Sequence, residues 1–237
     1  MPQRLFSGLL DLLFPPRCAG CGRPGSWLCT ACLTQVAWIA PPLCPRCGEP
    51  ARAPACCPRR HRHPEHLDGL RSAAWHSGPL RAALHRLKYR GQRVLAAPLA
   101  GLVVAAWRRD PPPAGLLIPV PLHPTRVRER GFNQAALLAA YVGRELGLPV
   151  DARHLARIRA TPPQVGLSAG QRLVNVAGAF RYSGPSLHGR AVCLIDDICT
   201  TGATLEACAA ALREAGAASV WAYTVARPRW DAADRDA

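Results

Sequence analysis

The chain has 237 residues, 49% hydrophobic and 19% charged, which excludes a disordered polymer and suits one sizeable α/β domain with a small accessory module. No apolar run reaches the ~18–20 residues that a membrane-spanning helix requires. The formal charge of +15 comes from 30 basic and 15 acidic side chains, and Lys88 is the only lysine, so the surplus is guanidinium: either an arginine-biased composition or a match to phosphate oxygens on a small polyphosphate or a nucleic acid.

Near the start, LFSGLLDLLF is interrupted by Asp11 and followed by Pro15 and Pro16, which reads as a short amphipathic turn or helix packed on the body rather than a signal peptide. Eight of the eleven cysteines lie between Cys18 and Cys57. CAGC (Cys18, Cys21), CTAC (Cys29, Cys32) and CPRC (Cys44, Cys47) are three CxxC knuckles, and with no export signal in view they point to metal in a reducing cytoplasm, not to disulfides. Two such pairs complete a tetrahedral zinc site. Cys18, Cys21, Cys29 and Cys32 are assigned to a first zinc; pairing Cys18/Cys21 with Cys44/Cys47 is the alternative. A redox role competes with both, but no thioredoxin-like strand precedes the cysteines.

From about Leu67 the pattern becomes ordinary α/β. GLRSAAWHSG predicts a strand and turn, PLRAALHRLKYRG a helix stopped by Gly91, and roughly Val94 to Arg108 a second helix. LLIPV (116–120) is a short buried strand, FNQAALLAAYVGRELG (132–147) a helix stopped by Gly147, and 157–176 a long loop running into a helical turn. AVCLID (191–196) is a strand apolar on both faces, TLEACAAALREAG (204–216) a helix, and SVWAYTVA (219–226) a strand; together they form a parallel βαβ unit. The polar stretch from Arg227, RPRWDAADRDA, reads as a loose end. The domains are therefore drawn as 1–66, 67–227 and a tail, 228–237. Cys193, Cys199 and Cys208 are expected to be small buried or loop residues.

LIDDICTTGATL (194–205) carries the chemistry. The strand delivers Asp196 and Asp197 to its carboxyl end, where open α/β sheets bind ligands. Thr200, Thr201, Gly202, Ala203 and Thr204 then lead into a helix N-terminus, whose free N–H groups and dipole attract an anion. The acidic pair suits ribose hydroxyls or Mg²⁺. A Walker B reading fails because no GxxxxGK[ST] surrounds the single lysine, and GCGRPG (20–25) lies inside a cysteine pair with no strand before it. In PVPLHPTRVRERGFNQ, Arg126, Arg128 and Arg130 alternate; in an extended segment all three would share one side and hold a pyrophosphate.

VCLIDDICTTGAT resembles the phosphoribosyl-pyrophosphate (PRPP) signature of type I phosphoribosyltransferases. With PVPLHPTRVRERGFNQA (119–135) and the cysteine-rich front end, nearly the whole chain resembles the ComF/GntX family of competence-associated proteins. The resemblance implies a type I phosphoribosyltransferase-like parallel sheet flanked by helices, with an N-terminal double zinc ribbon. It implies that Asp196 and Asp197 hold the ribose and Thr200 to Thr204 the 5′-phosphate of PRPP, with Mg²⁺, and it supports a pyrophosphate role for Arg126, Arg128 and Arg130. It places Arg157, Arg159, Thr161, Gln164 and Arg172 on a mobile loop closing over the site, where Ser168 to Gln171 also fits a capping box. A fourth CxxC is missing. The second zinc would take Cys44, Cys47, Cys56 or Cys57, and His61 or His63. No catalytic base is identified. Three functions follow: a phosphoribosyltransferase of unknown acceptor; a PRPP-sensing or single-stranded-DNA-handling module working with a DNA-uptake helicase or channel; and a zinc-ribbon nucleic-acid adaptor.

Overall fold

A computed structural model describes residues 15–51, 57, 65–160 and 169–229. The apolar N-terminal segment, Cys56, His61, His63 and the span from Thr161 through Gln164 to Ser168 lie outside these residues. Among those described, no helix is long and apolar enough to cross a membrane.

The one-turn helix α1 (Thr30–Leu33) belongs to the cysteine module. The body then runs β1 (Gly69–Trp75), α2 (Gly78–Tyr89), a 3₁₀ turn (Arg93–Leu95), α3 (Ala96–Trp107), β2 (Leu116–Pro119), α4 (Pro124–Arg130), α5 (Gln134–Leu146), β3 (Leu155–Arg157), α6 (Ala169–Val176), β4 (Phe180–Tyr182), β5 (Ala191–Ile198), α7 (Ala203–Glu214) and β6 (Ser219–Arg227). Strands β1, β6, β5 and β2 form one sheet in that order, every pairing parallel, while β3 and β4 make a separate antiparallel pair.

Alternation along β5 sorts the core. Cys193 and Ile195 face a cluster with Leu84 and Leu87 of α2, Leu99 and Val103 of α3, and Leu138 of α5. Val192 and Leu194 face Leu205, Cys208 and Leu212 of α7, with Val176 and Phe180. All four strands being parallel, their carboxyl ends share one edge, from which α2, α4 and α7 depart. Helix α2 lies across that edge: it starts just after Trp75 at the end of β1, and Lys88 in its last turn reaches Asp197 on β5.

The cysteine module covers the free edge of β1. Ile39 N–H donates to Ala73 O (3.1 Å), Trp75 N–H to Ala37 O (2.8 Å) and Leu70 N–H to Arg46 O (2.7 Å), while Arg71 Nη1 donates to Pro45 O (2.9 Å). An open edge strand is an aggregation hazard, and this covering removes it. The fit is close at Gly48: with φ at +66° a Cβ there would sit 2.2 Å from Leu70 O. The first CxxC packs on α2, since Cys18, Ala19, Leu28 and Cys32 share a buried cluster with Leu80 and Leu84.

The expectation of a loose end is corrected at Arg227 alone, residues 230–237 lying outside those described. Arg227 closes β6 and is 0% exposed. Its Nη1 donates to Cys47 O (2.6 Å) and its Nη2 pairs with Glu49 Oε1 (2.8 Å). A buried partner on a distant segment, not local polarity, decides its position.

Candidate functional site

Strand β5 extends through Asp197 to Ile198, with Asp196 in register with Thr224 and Ile198 with Ala226. The acids therefore stand on the strand, and its alternation treats them differently. Asp197 turns toward α2, is 2% exposed, and accepts an ion pair from Lys88 Nζ at 2.8 Å. Burial raises the Asp197 carboxyl, but the Lys88 charge and hydrogen bond outweigh it and hold it below the ordinary carboxylate range. Lys88 is displaced the opposite way: burial lowers it, and the charges of Asp197 and then Asp196 raise it further. Asp196 is half-buried on the other side, where Arg157 of β3 and Cys208 of α7 feel its charge. Burial and the neighbouring Asp197 charge push the Asp196 carboxyl well above the usual range. One carboxyl of the doublet is thus held ionised and the other retains its proton more readily.

After Ile198 the chain leaves the sheet. Cys199 N–H donates to Ala226 O (3.0 Å), and the N-cap of α7 is Gly202, whose φ of +86° needs glycine. A Cβ there would meet nothing nearer than Cys199 Sγ at 3.9 Å, so the space over the turn is open. Among the described residues, the N–H groups of Thr200, Thr201 and Gly202 make no hydrogen bond, and the Ala203 N–H finds only Thr201 Oγ1 at 3.4 Å. Three consecutive free amides at the start of a twelve-residue helix form an anion cradle.

The arginine segment is not extended. It forms α4, with His123 as N-cap, Pro124 in the first turn and Gly131 ending it at φ +77°. Proline at the start and glycine at the stop are helix signals that override the period-two pattern. On a helix, Arg126 and Arg130 share a face one turn apart and Arg128 points away from both. Arg126 pairs with Glu129 (2.9 Å), an exposed contact of small energetic weight. Arg130 donates to Gln134 Oε1 and lies over the Tyr89 ring. Asn133 caps α5 through Ala135 N–H (2.9 Å) and donates to Val120 O (3.0 Å), fixing the turn beside β2.

Of the expected closing residues, Arg157 ends β3 with its guanidinium over Phe180, and Arg159 donates to Ala177 O (2.6 Å), bracing the end of α6. Arg172 falls on α6, while Thr161 and Gln164 lie outside the described residues. Sequence reasoning missed Lys88. Its signal was present: a lone lysine among arginines, at the buried end of a helix.

The thiols of Cys18, Cys21, Cys29 and Cys32 all lie within 4.8 Å of one another, which rules out the pairing of Cys18/Cys21 with Cys44/Cys47. Backbone N–H groups of Cys21, Cys29 and Gly20 overcome the effect of burial and hold the Cys18 thiol down to about 6. Cys44, Cys47 and Cys57 form a second group within the same limit, while Cys56 lies outside the described residues. Four thiols in the first group and three in the second are donors that suit zinc. Because the module covers β1 and supports α2, stripping the metal with a chelator is expected to lower the melting temperature of the whole chain by about 10 °C or more, in one transition. Differential scanning calorimetry with metal analysis checks this; an unchanged main transition would separate the module from the sheet.

A zinc-bearing front end joined to a parallel sheet with an acidic doublet and an anion cradle on its carboxyl edge defines a phosphoribosyltransferase-like protein with a structural zinc ribbon. A double zinc ribbon domain matches residues 9–60 and a phosphoribosyl transferase domain matches residues 131–237. DNA utilization protein YhgH of Salmonella typhimurium is 34% identical over 226 residues, covering 91% of this chain and 99% of its own. Competence protein ComFC of Bacillus subtilis is 32% identical, covering 86% of each, and Competence protein F of Haemophilus influenzae is 31% identical, covering 84% of this chain and 90% of its own. The chain belongs to the ComF family. Among solved structures, a purine phosphoribosyltransferase from Pyrococcus horikoshii Ot3 matches 55% of this chain and 80% of its own at 15% identity, with a TM-score of 0.35.

Proposed function

We propose that the carboxyl edge of β5 binds PRPP with Mg²⁺ and that the protein transfers its phosphoribosyl group with release of pyrophosphate. The observation that carries this reading is the adjacency of the free Thr200, Thr201 and Gly202 amides to the coupled Asp196/Asp197 pair. The amides and threonine hydroxyls would receive the 5′-phosphate; the carboxylates would accept from the ribose hydroxyls. Carboxylate oxygens also suit Mg²⁺, which would neutralise charge on the departing pyrophosphate. Asp196 is the member free of the Lys88 ion pair, so it is the one that meets ligand or cation first. Arg126 and Arg130, sharing one face of α4, are assigned to the pyrophosphate, where preorganised guanidinium groups stabilise a leaving oxyanion by several kcal/mol. Arg128, on the opposite face, is not. The names of the relatives, a DNA utilization protein and a competence protein, support a role for this chain in DNA utilisation and competence.

Calorimetric titration with PRPP and Mg²⁺ tests the reading. Asp196 must be ionised to accept a hydroxyl or a cation, and its carboxyl is raised. Binding therefore releases a proton at low pH, and affinity rises with pH until Asp196 is ionised in the free protein. Asp196→Asn is expected to lose about tenfold or more in affinity and to flatten this dependence. Equal affinity in the variant, or a wild-type affinity that falls with pH, removes Asp196 from the site. Pyrophosphate release with candidate acceptors then separates transfer from PRPP sensing.

A further inference from the structure

We infer that Arg227 is a positioning residue for the ligand loop, and that through it the metal occupancy of the second thiol group sets the affinity of the β5 edge. The inference rests on the reading of that edge as the PRPP site. Three consecutive carbonyls of the Cys44–Cys47 knuckle accept from the body: Pro45 O from Arg71 Nη1 (2.9 Å), Arg46 O from the Leu70 N–H (2.7 Å) and Cys47 O from Arg227 Nη1 (2.6 Å). A CxxC turn takes its shape from the metal that its thiols share, so an ion held by Cys44, Cys47 and Cys57 fixes where these carbonyls stand. Two of the three end on the first residues of β1. The third ends on Arg227, the last residue of β6, at the carboxyl edge of the sheet.

From Arg227 the contacts run into the site. Both partners of its buried guanidinium, Cys47 O and the Glu49 carboxylate, belong to the knuckle segment. Its own carbonyl accepts from the His76 N–H (2.7 Å), just past the end of β1. The carbonyl before it, Ala226 O, accepts from the Cys199 N–H (3.0 Å) and from the Thr224 hydroxyl (3.2 Å), and Thr224 is bonded in turn to Ser72 of β1 (2.7 Å). The next three N–H groups after Cys199 are the free amides of Thr200, Thr201 and Gly202. An anion cradle works only while its amides converge, and the residue that leads into this one hangs on the carbonyl beside Arg227. Two arrangements follow. With the knuckle held, the guanidinium is satisfied and the end of β6 is fixed. With the knuckle released, the buried guanidinium loses its acceptors; an unpaired buried charge is strongly disfavoured, so the side chain turns to water and takes the Ala226–Cys199 contact with it.

Amide hydrogen exchange without ligand, and calorimetric titration with PRPP and Mg²⁺, test it on the full chain well below its melting temperature. Cys57→Ser empties the second group and leaves the first, which metal analysis verifies; Cys44→Ser replaces it where metal is retained. The emptied chain is expected to bind PRPP about fivefold more weakly or worse and to exchange the Cys199 amide about tenfold faster, with amides in the middle of β5 at their wild-type rates. In a chain that also carries Arg227→Met/Glu49→Leu, where no buried charge is left unpaired, adding Cys57→Ser is expected to change either quantity by less than about twofold, because the link is already cut. A metal that merely stabilises the fold would act equally in both backgrounds, and that outcome overturns the inference. So does an emptied chain in which Cys199 exchanges as in the wild type, or one whose PRPP affinity matches that of a wild type that binds PRPP. A wild type that binds no PRPP removes the proposed function instead, and exchange at Cys199 then decides the coupling by itself.

Discussion

Arg227→Met is expected to cost the folded chain about 3–5 kcal/mol, an effect set by what it leaves behind. Glu49 is buried, and its Oε1 forms an ion pair with Arg227 Nη2 at 2.8 Å. Removing the guanidinium takes the Arg227 ion pair from that buried carboxylate and also leaves Cys47 O without the Nη1 donor at 2.6 Å. Because Cys47 is in the second thiol group, the variant is also expected to lose its second zinc at lower chelator concentration than wild type. Urea unfolding reads the first effect and metal retention the second. Arg227→Met/Glu49→Leu, which removes both charges, is expected to recover most of the loss, since an apolar pair needs no desolvation of ions. A single variant within about 1 kcal/mol of wild type would show that the pair contributes only as a surface contact does.

This pair illustrates what the sequence could and could not show. Elements governed by local periodicity were legible: the apolar run of β5, the 3.6-residue repeat of α5 with its Gly147 stop, and the strand–turn–helix around Gly202, where loop chemistry and fold coincide within a dozen residues. The members of each CxxC pair were equally legible, because that spacing brings two thiols close; which two pairs share a site was decided by the geometry. What was not legible depended on partners far along the chain. Arg227 looks like the first residue of a polar tail until Glu49 and Cys47 are seen beneath it. Lys88 looks like an ordinary basic residue at a helix C-terminus until Asp197 faces it. The arginine segment failed for another reason: two local patterns competed, period-two charge against proline start and glycine stop, and the backbone signals decided. The approach of Cys57 to Cys44 and Cys47 needed the geometry.

Lys88→Met is expected to have an effect of similar size, with a pH dependence that identifies its cause. In the wild type, Asp197 is held low and Lys88 high by their mutual charge, against burial that acts on both in the opposite sense. A depressed carboxylate contributes stability above its unfolded value, about 3.9, and that contribution disappears as pH falls through the folded value; a raised lysine contributes below its unfolded value, about 10.4, and loses it as pH rises through the folded one. The pair therefore stabilises between about pH 4 and pH 10. Without Lys88, burial favours the protonated form of Asp197, opposed only by the Ile198 N–H at 2.9 Å and the hydrogen bond with Asp196. The sign then reverses: the variant is most stable in acid and loses stability as pH rises through the raised carboxyl, reaching a deficit of about 3–5 kcal/mol near neutrality. Urea unfolding at about pH 5 and about pH 8 measures the reversal, and Lys88→Met/Asp197→Asn, with neither charge present, is expected to remove it. The ligand edge is affected too, because an Asp197 that takes up a proton no longer repels a charge on Asp196, whose carboxyl is then expected to ionise at lower pH than in the wild type. A variant whose stability rises from acid to neutral pH as wild type does would mean that water, not Lys88, compensates the Asp197 charge.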